Sequence, residues 1–217
     1  YLNLLLNQRK LFFKKLSTSL SHKIADFTYR NCNLIRGVHK EQTELLERKY
    51  KKMTAVFPAW VDNKTFYPQN NNGKSNNILF VGNIIPRKGV IFLLEAFENF
   101  QQNRNIEYQF KIVGDTPSIK YFEECQNYIE ENNIKNVTFY GALKPDEIAK
   151  IMNESAILVM ASNFEGLPRV LIESGLCKLP SLATNIKGIA TPFNSKGGTI
   201  IYEINNVEKF TKNLELF

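Results

Sequence analysis

Ile78-Leu79-Phe80-Val81-Gly82-Asn83-Ile84-Ile85-Pro86-Arg87-Lys88-Gly89 joins an apolar run, a glycine turn and the start of a helical pattern. The run Ile78 to Gly82 is apolar at successive rather than alternate positions, which suits a strand covered on both faces. Behind it, apolar residues recur at helical spacing over 88–103. The same alternation continues downstream. Strands are predicted at Tyr108 to Gly114, Val137 to Gly141, Ala156 to Ala161 and Ser181 to Thr184, with a weaker one at Thr199 to Tyr202. Helices are predicted over 118–132, 145–153 and 166–177. Strands separated by helices in this way imply an α/β fold, a Rossmann-like doubly wound parallel sheet. Ligands of such sheets sit outside the carboxyl ends of the strands, so the loops that follow the strands are the places to look for chemistry.

The first of those loops offers Gly82, Asn83, Arg87 and Lys88 ahead of a helix start. Glycine admits a ligand close to the backbone, a helix start has unpaired N–H groups, and Lys88 adds a positive charge; together these suit a diphosphate. The dinucleotide-binding fingerprint is absent, because no third glycine accompanies Gly82 and Gly89 at the required spacing. The second loop is richer: Asn163-Phe164-Glu165-Gly166-Leu167-Pro168-Arg169-Val170-Leu171-Ile172-Glu173-Ser174-Gly175. If Glu165 and Glu173 shared a helix, they would lie about 80° apart around it and about 12 Å apart along it. Two acceptors so placed suit hydroxyls at opposite ends of an extended ligand. A carboxylate at a helix start also serves as a simple cap, and Glu173 also reads as a solvated helix residue.

Upstream of Ile78 the pattern changes. Residues 58–77 contain Pro58, Pro68 and a long polar run, the composition of a linker. Residues 1–57 are mainly helical by periodicity, with short strands predicted at Asn33 to Val38 and Thr54 to Phe57. The formal net charge of +7 is concentrated in residues 1–52, and the rest of the chain is nearly balanced. Arg9, Lys10, Lys14 and Lys15 beside Leu11, Phe12, Phe13 and Leu16 suit contact with an anionic membrane surface; packing against a neighbouring domain accounts for them equally well. The basic end lacks the interleaved aromatics of a nucleic-acid module, so no nucleic-acid partner is expected. Cys32, Cys125 and Cys177 are odd in number and far apart, which reads as reduced and structural. His22 and His39 have no second ligand at metal spacing, and no Asp-x-Asp pair flanks the phosphate loop, so neither a metal nor another cofactor is implied. No apolar run long enough to span a membrane and no cleavable signal is present, so the expected location is cytoplasmic, at the inner face of the membrane if the basic end binds lipid. The chain begins at Tyr1 inside a helical pattern and stops at Phe217 within another, so it is expected to be a piece of a longer protein.

Taken together, Ile78 to Gly82 with Lys88 and Gly89, Phe110 to Asp115, Val137 to Gly141 and the Glu165 to Glu173 block resemble the C-terminal domain of family 4 glycosyltransferases, retaining enzymes of GT-B fold. Residues Phe57 to Pro68 are similar to that family's interdomain linker. The resemblance implies three parts: 1–57 as a remnant of the acceptor-binding N-terminal domain, 58–77 as linker, and 78–217 as the nucleotide-sugar-binding domain. It implies that Lys88 neutralises the donor diphosphate and that Glu165 bonds the donor sugar. The Gly166 and Leu167 amides would lie near sugar or phosphate, Glu173 on the ribose hydroxyls, and Gly141-Ala142-Leu143 against the base. The implied donor is a nucleoside diphosphate sugar and the implied acceptor a glycan or lipid-linked glycan, with retention of configuration.

The sequence departs from the family at three points. Asn83 stands where a basic residue is common, so that either Arg87 substitutes or diphosphate affinity is lower; Pro168 removes one amide from the sugar loop; Trp60 replaces a small linker residue. Resembling enzymes often take a catalytic histidine from the N-terminal domain, and His39 is weighed for that role by whether it can reach a proton. The competing readings are a non-catalytic nucleotide-sugar-binding module and another GT-B enzyme such as a sugar-nucleotide epimerase. With little of an acceptor wall, the chain alone is expected to be inactive.

Overall fold

Ile78 and Phe80 point to one side of their strand and Leu79 to the other, and all three are at most 2% exposed. That double burial, repeated by Phe110 and Ile112 against Val113 and by Ile157 and Val159 against Leu158 and Met160, lets a parallel sheet carry helices on both faces. The computed structural model describes residues 18–57, 59–69, 75–102, 106–190, 193 and 198–216. The basic cluster Arg9 to Lys15 lies outside the described residues. The chain divides into two units, Tyr1–Pro58 and Ala59–Phe217.

In the first unit, helix α1 (18–31) precedes β1 (Leu34–Gly37), α2 (Lys40–Tyr50) and β2 (Met53–Val56). The two strands are parallel, Leu34 opposite Met53 and Gly37 opposite Val56, as a strand–helix–strand crossover requires. Gly37 is needed where α2 passes over β1, because a Cβ there would lie 1.8 Å from Thr43 Oγ1. His39 caps α2, its Nδ1 accepting the Gln42 N–H at 3.3 Å, so the imidazole considered as a general base is committed to a helix end.

The second unit is built in order from β3 (Asn77–Val81), α3 (Val90–Gln101), β4 (Gln109–Val113), α4 (Ile119–Glu131), β5 (Val137–Gly141), α5 (Pro145–Asn153), β6 (Ile157–Met160), α6 (Arg169–Leu176), β7 (Ser181–Thr184), α7 (Lys187–Ala190), β8 (Thr199–Tyr202) and α8 (Val207–Leu214). The sheet order is β5-β4-β3-β6-β7-β8, all parallel. This is the Rossmann-like doubly wound arrangement. Helices α3, α4 and α8 share one core with Phe80, Phe110 and Tyr202, while α5, α6 and α7 share the other with Leu79, Leu158 and Ala183. The winding reverses between β3 and β6, which opens a crevice at their carboxyl ends.

Three local features differ from the periodicity. Helix α3 starts at Val90 rather than 88, because Pro86–Lys88 forms a 3-10 turn and Gly89, at φ 67°, breaks the path between turn and helix. Helix α6 starts at Arg169 rather than 166, with Pro168 as its N-cap. Residues 59–69, read as linker, are packed: Phe66 is 4% exposed within the second core. The Asn153 side chain accepts the Gln69 N–H at 2.7 Å and donates to the Tyr67 carbonyl at 3.1 Å, which fastens this segment to the end of α5.

Candidate active site

The turn after β3 is held from beneath: the Gly82 N–H donates to the Val113 carbonyl and the Ile84 N–H to the Asp115 carbonyl, each at 2.8 Å. Its far end is pressed onto the loop after β6. A Cβ on Gly89 would sit 2.5 Å from the Ala161 carbonyl oxygen, so only glycine fits both that approach and the positive φ. The Asn163 N–H completes the junction by donating to the Arg87 carbonyl at 2.9 Å. Two loops far apart in sequence thereby become one surface at the reversal of the sheet.

On that surface two cations meet one carboxylate oxygen. Lys88 Nζ donates to Glu165 Oε1 at 2.7 Å and Arg87 NH1 donates to the same atom at 2.9 Å, while Arg87 NH1 also bonds the Phe164 carbonyl. Lys88 and Glu165 are 13% and 10% exposed, so their attraction is little screened; Arg87, at 42%, is held less firmly. One carboxylate between two cations leaves a positive surplus at the loop, as an anionic ligand requires. Because α6 begins at Arg169, Glu165 lies in the loop ahead of it, so the two glutamates do not share a helix as the spacing allowed and Glu165 is no cap. Glu173 sits within α6, 13% exposed, with Arg169 NH2 at 3.7 Å. Burial pushes the Glu173 carboxyl above the usual range and Arg169 draws it part of the way back.

A cavity of about 760 Å³ joins these groups. Gly82, Asn83, Arg87, Lys88, Glu165, Leu167 and Glu173 all line it; Trp60, Asp62, Ile148 and Arg169 are among the other lining residues. Gly166 does not line it but lies between two residues that do. Gly141, Ala142 and Leu143 do not line it, although Pro145 and Ile148, a few residues further along, do. Arg169 was legible as a charge four positions before Glu173; Trp60 and Ile148 carry no sequence signal of a shared wall. A hollow of about 810 Å³ in the first unit is larger. The carboxylate that lines it among the described residues is Asp26, which Arg30, Tyr50 and Lys49 engage. Among the described residues no group of His, Cys, Asp and Glu is placed to hold a metal ion.

The state of Glu173 makes a stability prediction. A carboxyl whose folded pKa is raised makes the folded state bind its proton more tightly than the unfolded one. Its charge therefore opposes folding, increasingly so as pH rises above the unfolded value of about 4.3. Glu173→Gln keeps the shape and removes the charge, and the Arg169 it frees is 60% exposed. The variant is expected to melt higher than the parent at pH 7, with the gap closing as pH falls toward 4. A gap independent of pH in thermal unfolding would rule out this account.

Comparison with known proteins agrees with this geometry. A family model described as glycosyl transferases group 1 matches residues 62–217. An uncharacterised glycosyltransferase of Methanocaldococcus jannaschii is 29% identical over 176 residues, covering 81% of this chain and 47% of that protein. The UDP-Gal:alpha-D-GlcNAc-diphosphoundecaprenol alpha-1,3-galactosyltransferase of Escherichia coli is 26% identical, covering 91% of this chain and 54% of its own length. The chain thus spans about half the length of these curated relatives. Among solved structures, Anabaena HepE in complex with UDP and glucose superposes with a TM-score of 0.74 at 15% identity, over 89% of this chain and 56% of that one.

Proposed function

The chain belongs to the group 1 glycosyl transferases, and from that premise we propose that its larger unit binds a nucleoside diphosphate sugar whose glycosyl group passes, with retention of configuration, to a glycan or lipid-linked acceptor. The observation that supports this most is the meeting of Lys88 and Arg87 on Glu165 at the crevice between β3 and β6. In the proposed complex the donor diphosphate takes the two cations, and Glu165, released from them, accepts hydrogen bonds from sugar hydroxyls. Glu173 takes the ribose hydroxyls at the other end of the cavity. As the bond from the sugar to the diphosphate breaks, charge grows on the leaving oxygen. Fixed cations and amides that need no reorientation stabilise it, and the acceptor attacks from the same face.

One relative is a UDP-Gal transferase by name, and a solved structure of similar fold holds UDP, which makes a uridine nucleotide the first donor to test. The acceptor half of the reaction is proposed to need a second domain, for which the relatives' greater length leaves room. Calorimetry with UDP, GDP and ADP tests the donor site, and saturable binding of one of them is expected. Binding of none would overturn the reading.

A further inference from the structure

We propose that Gly188, in the short helix α7, is a positioning residue: lacking a side chain, it lets the Glu165 and Gly166 carbonyls turn back against α7, so that the amides of Gly166 and Leu167 face the other way, as a paired donor for an oxygen of the ligand. This rests on the reading of that loop as part of the donor site. Helix α7 is anchored on both sides of Gly188. Ile189 is fully buried in the second core, and its N–H donates to the Ile186 carbonyl at 2.9 Å. At the strand end before α7, Thr184 Oγ1 donates to the Ser162 carbonyl at 2.8 Å, which ties β7 to the start of the site loop. Between these anchors the backbone of Gly188 lies directly on the loop. A Cβ there would stand 2.1 Å from the Glu165 oxygen, 2.6 Å from the Gly166 oxygen and 2.7 Å from the Glu165 carbonyl carbon. The obstacles are backbone atoms, so no rotamer change relieves the overlap.

The orientation of the donors follows from peptide geometry. In each of the two peptides the oxygen is the atom nearest to the Cβ position, so both carbonyls lean toward α7. In a planar trans peptide the N–H points opposite to the C=O. The Gly166 and Leu167 amides therefore point away from α7, on the loop whose Glu165 and Leu167 line the cavity. Neither amide has a hydrogen-bond partner among the described residues. Two adjacent donors without a partner among the described residues, ahead of Pro168, which has no N–H, suit an anionic or hydroxyl oxygen of the ligand.

The test uses the full-length polypeptide with Gly188→Ala, and Gly175→Ala as control, since a Cβ on Gly175 meets nothing within 4 Å. Gly188→Ala is expected to shift the Gly166 and Leu167 amide resonances without nucleotide and to weaken UDP, or whichever of GDP and ADP binds the parent, at least tenfold. Gly175→Ala is expected to do neither. A folded Gly188→Ala protein with unmoved amide resonances, or with affinity within twofold of the parent, would overturn the proposal. Should that variant not fold, amide exchange on the parent decides. Fast exchange of both amides without nucleotide supports the proposal, and protection there means that they point inward and overturns it. If no nucleotide binds the parent, the donor-site reading fails, while the resonances and the exchange still decide what Gly188 does.

Discussion

Lys88→Ala is expected to weaken nucleoside diphosphate binding by about 1.5–3 kcal/mol, roughly 10- to 150-fold, the cost of removing a charged hydrogen-bond partner. It is also expected to lower the transfer rate by about 10²–10³, as the loss of one fixed donor to a developing oxyanion does. Both follow from Lys88 being only 13% exposed and 2.7 Å from Glu165. At that depth solvent screens little of the ammonium's charge, so a diphosphate bound there as proposed would lose most of that attraction in Lys88→Ala. Arg87→Ala provides the contrast. Arg87 reaches the same oxygen at 2.9 Å but is 42% exposed, so water compensates more of its loss and the effect on binding is expected to be several-fold smaller. Calorimetry on the two variants and radiolabelled transfer by the full-length polypeptide measure the difference. Equal affinity in Lys88→Ala and the parent would remove Lys88 from the site.

What the sequence revealed of the fold follows from how far each signal is local. Strands β3 and β6 come out within a residue of the apolar runs because burial on both faces leaves their centres free of polar positions, whereas β4 and β5 come out as closely despite Lys111 in the one and exposed Thr138 and Tyr140 in the other. The starts of α3 and α6 were each placed too early. In one the break is a glycine at positive φ and in the other a proline cap, and apolar spacing registers neither. Helix α7 was missed altogether, since four residues with one buried apolar side chain have no period to detect.

At the site, residue types were legible and partnerships were not. Lys88, Glu165 and Glu173 stand out by chemistry and by position after strands. The bond between Lys88 and Glu165, however, joins residues 77 apart and exists only because β3 and β6 are neighbours in the sheet. Strand order is not written in either loop. Gly141 to Leu143, by contrast, stop short of the cavity, while Pro145 and Ile148 beyond them line it. Gly188 looks like any turn glycine until the backbone it touches is known to be the Glu165 loop.

The 217-residue chain by itself is expected to bind a nucleoside diphosphate and yet transfer sugar far more slowly than the full-length polypeptide. The donor-side groups that line the cavity, Gly82, Asn83, Arg87, Lys88, Glu165, Leu167 and Glu173, all belong to the second unit, and that unit has its own two-layered core. Binding therefore needs nothing more. Transfer needs an acceptor hydroxyl held against the same sugar carbon, and the chain spans only about half the length of its relatives. Holding two reactants in place supplies about 7–11 kcal/mol of barrier reduction, far more than any single side chain, so its loss dominates every point substitution above. An open crevice adds to the deficit by admitting water, which weakens the field of Lys88 and Arg87 at the leaving oxygen. The measurement is paired: nucleotide affinity by calorimetry and transfer by radiolabelled donor, on the chain and on the full-length polypeptide. Affinities within threefold and rates at least a thousandfold apart are expected. A chain that transferred within tenfold of the full-length protein would place the whole acceptor site inside these 217 residues and would refute the two-domain reading.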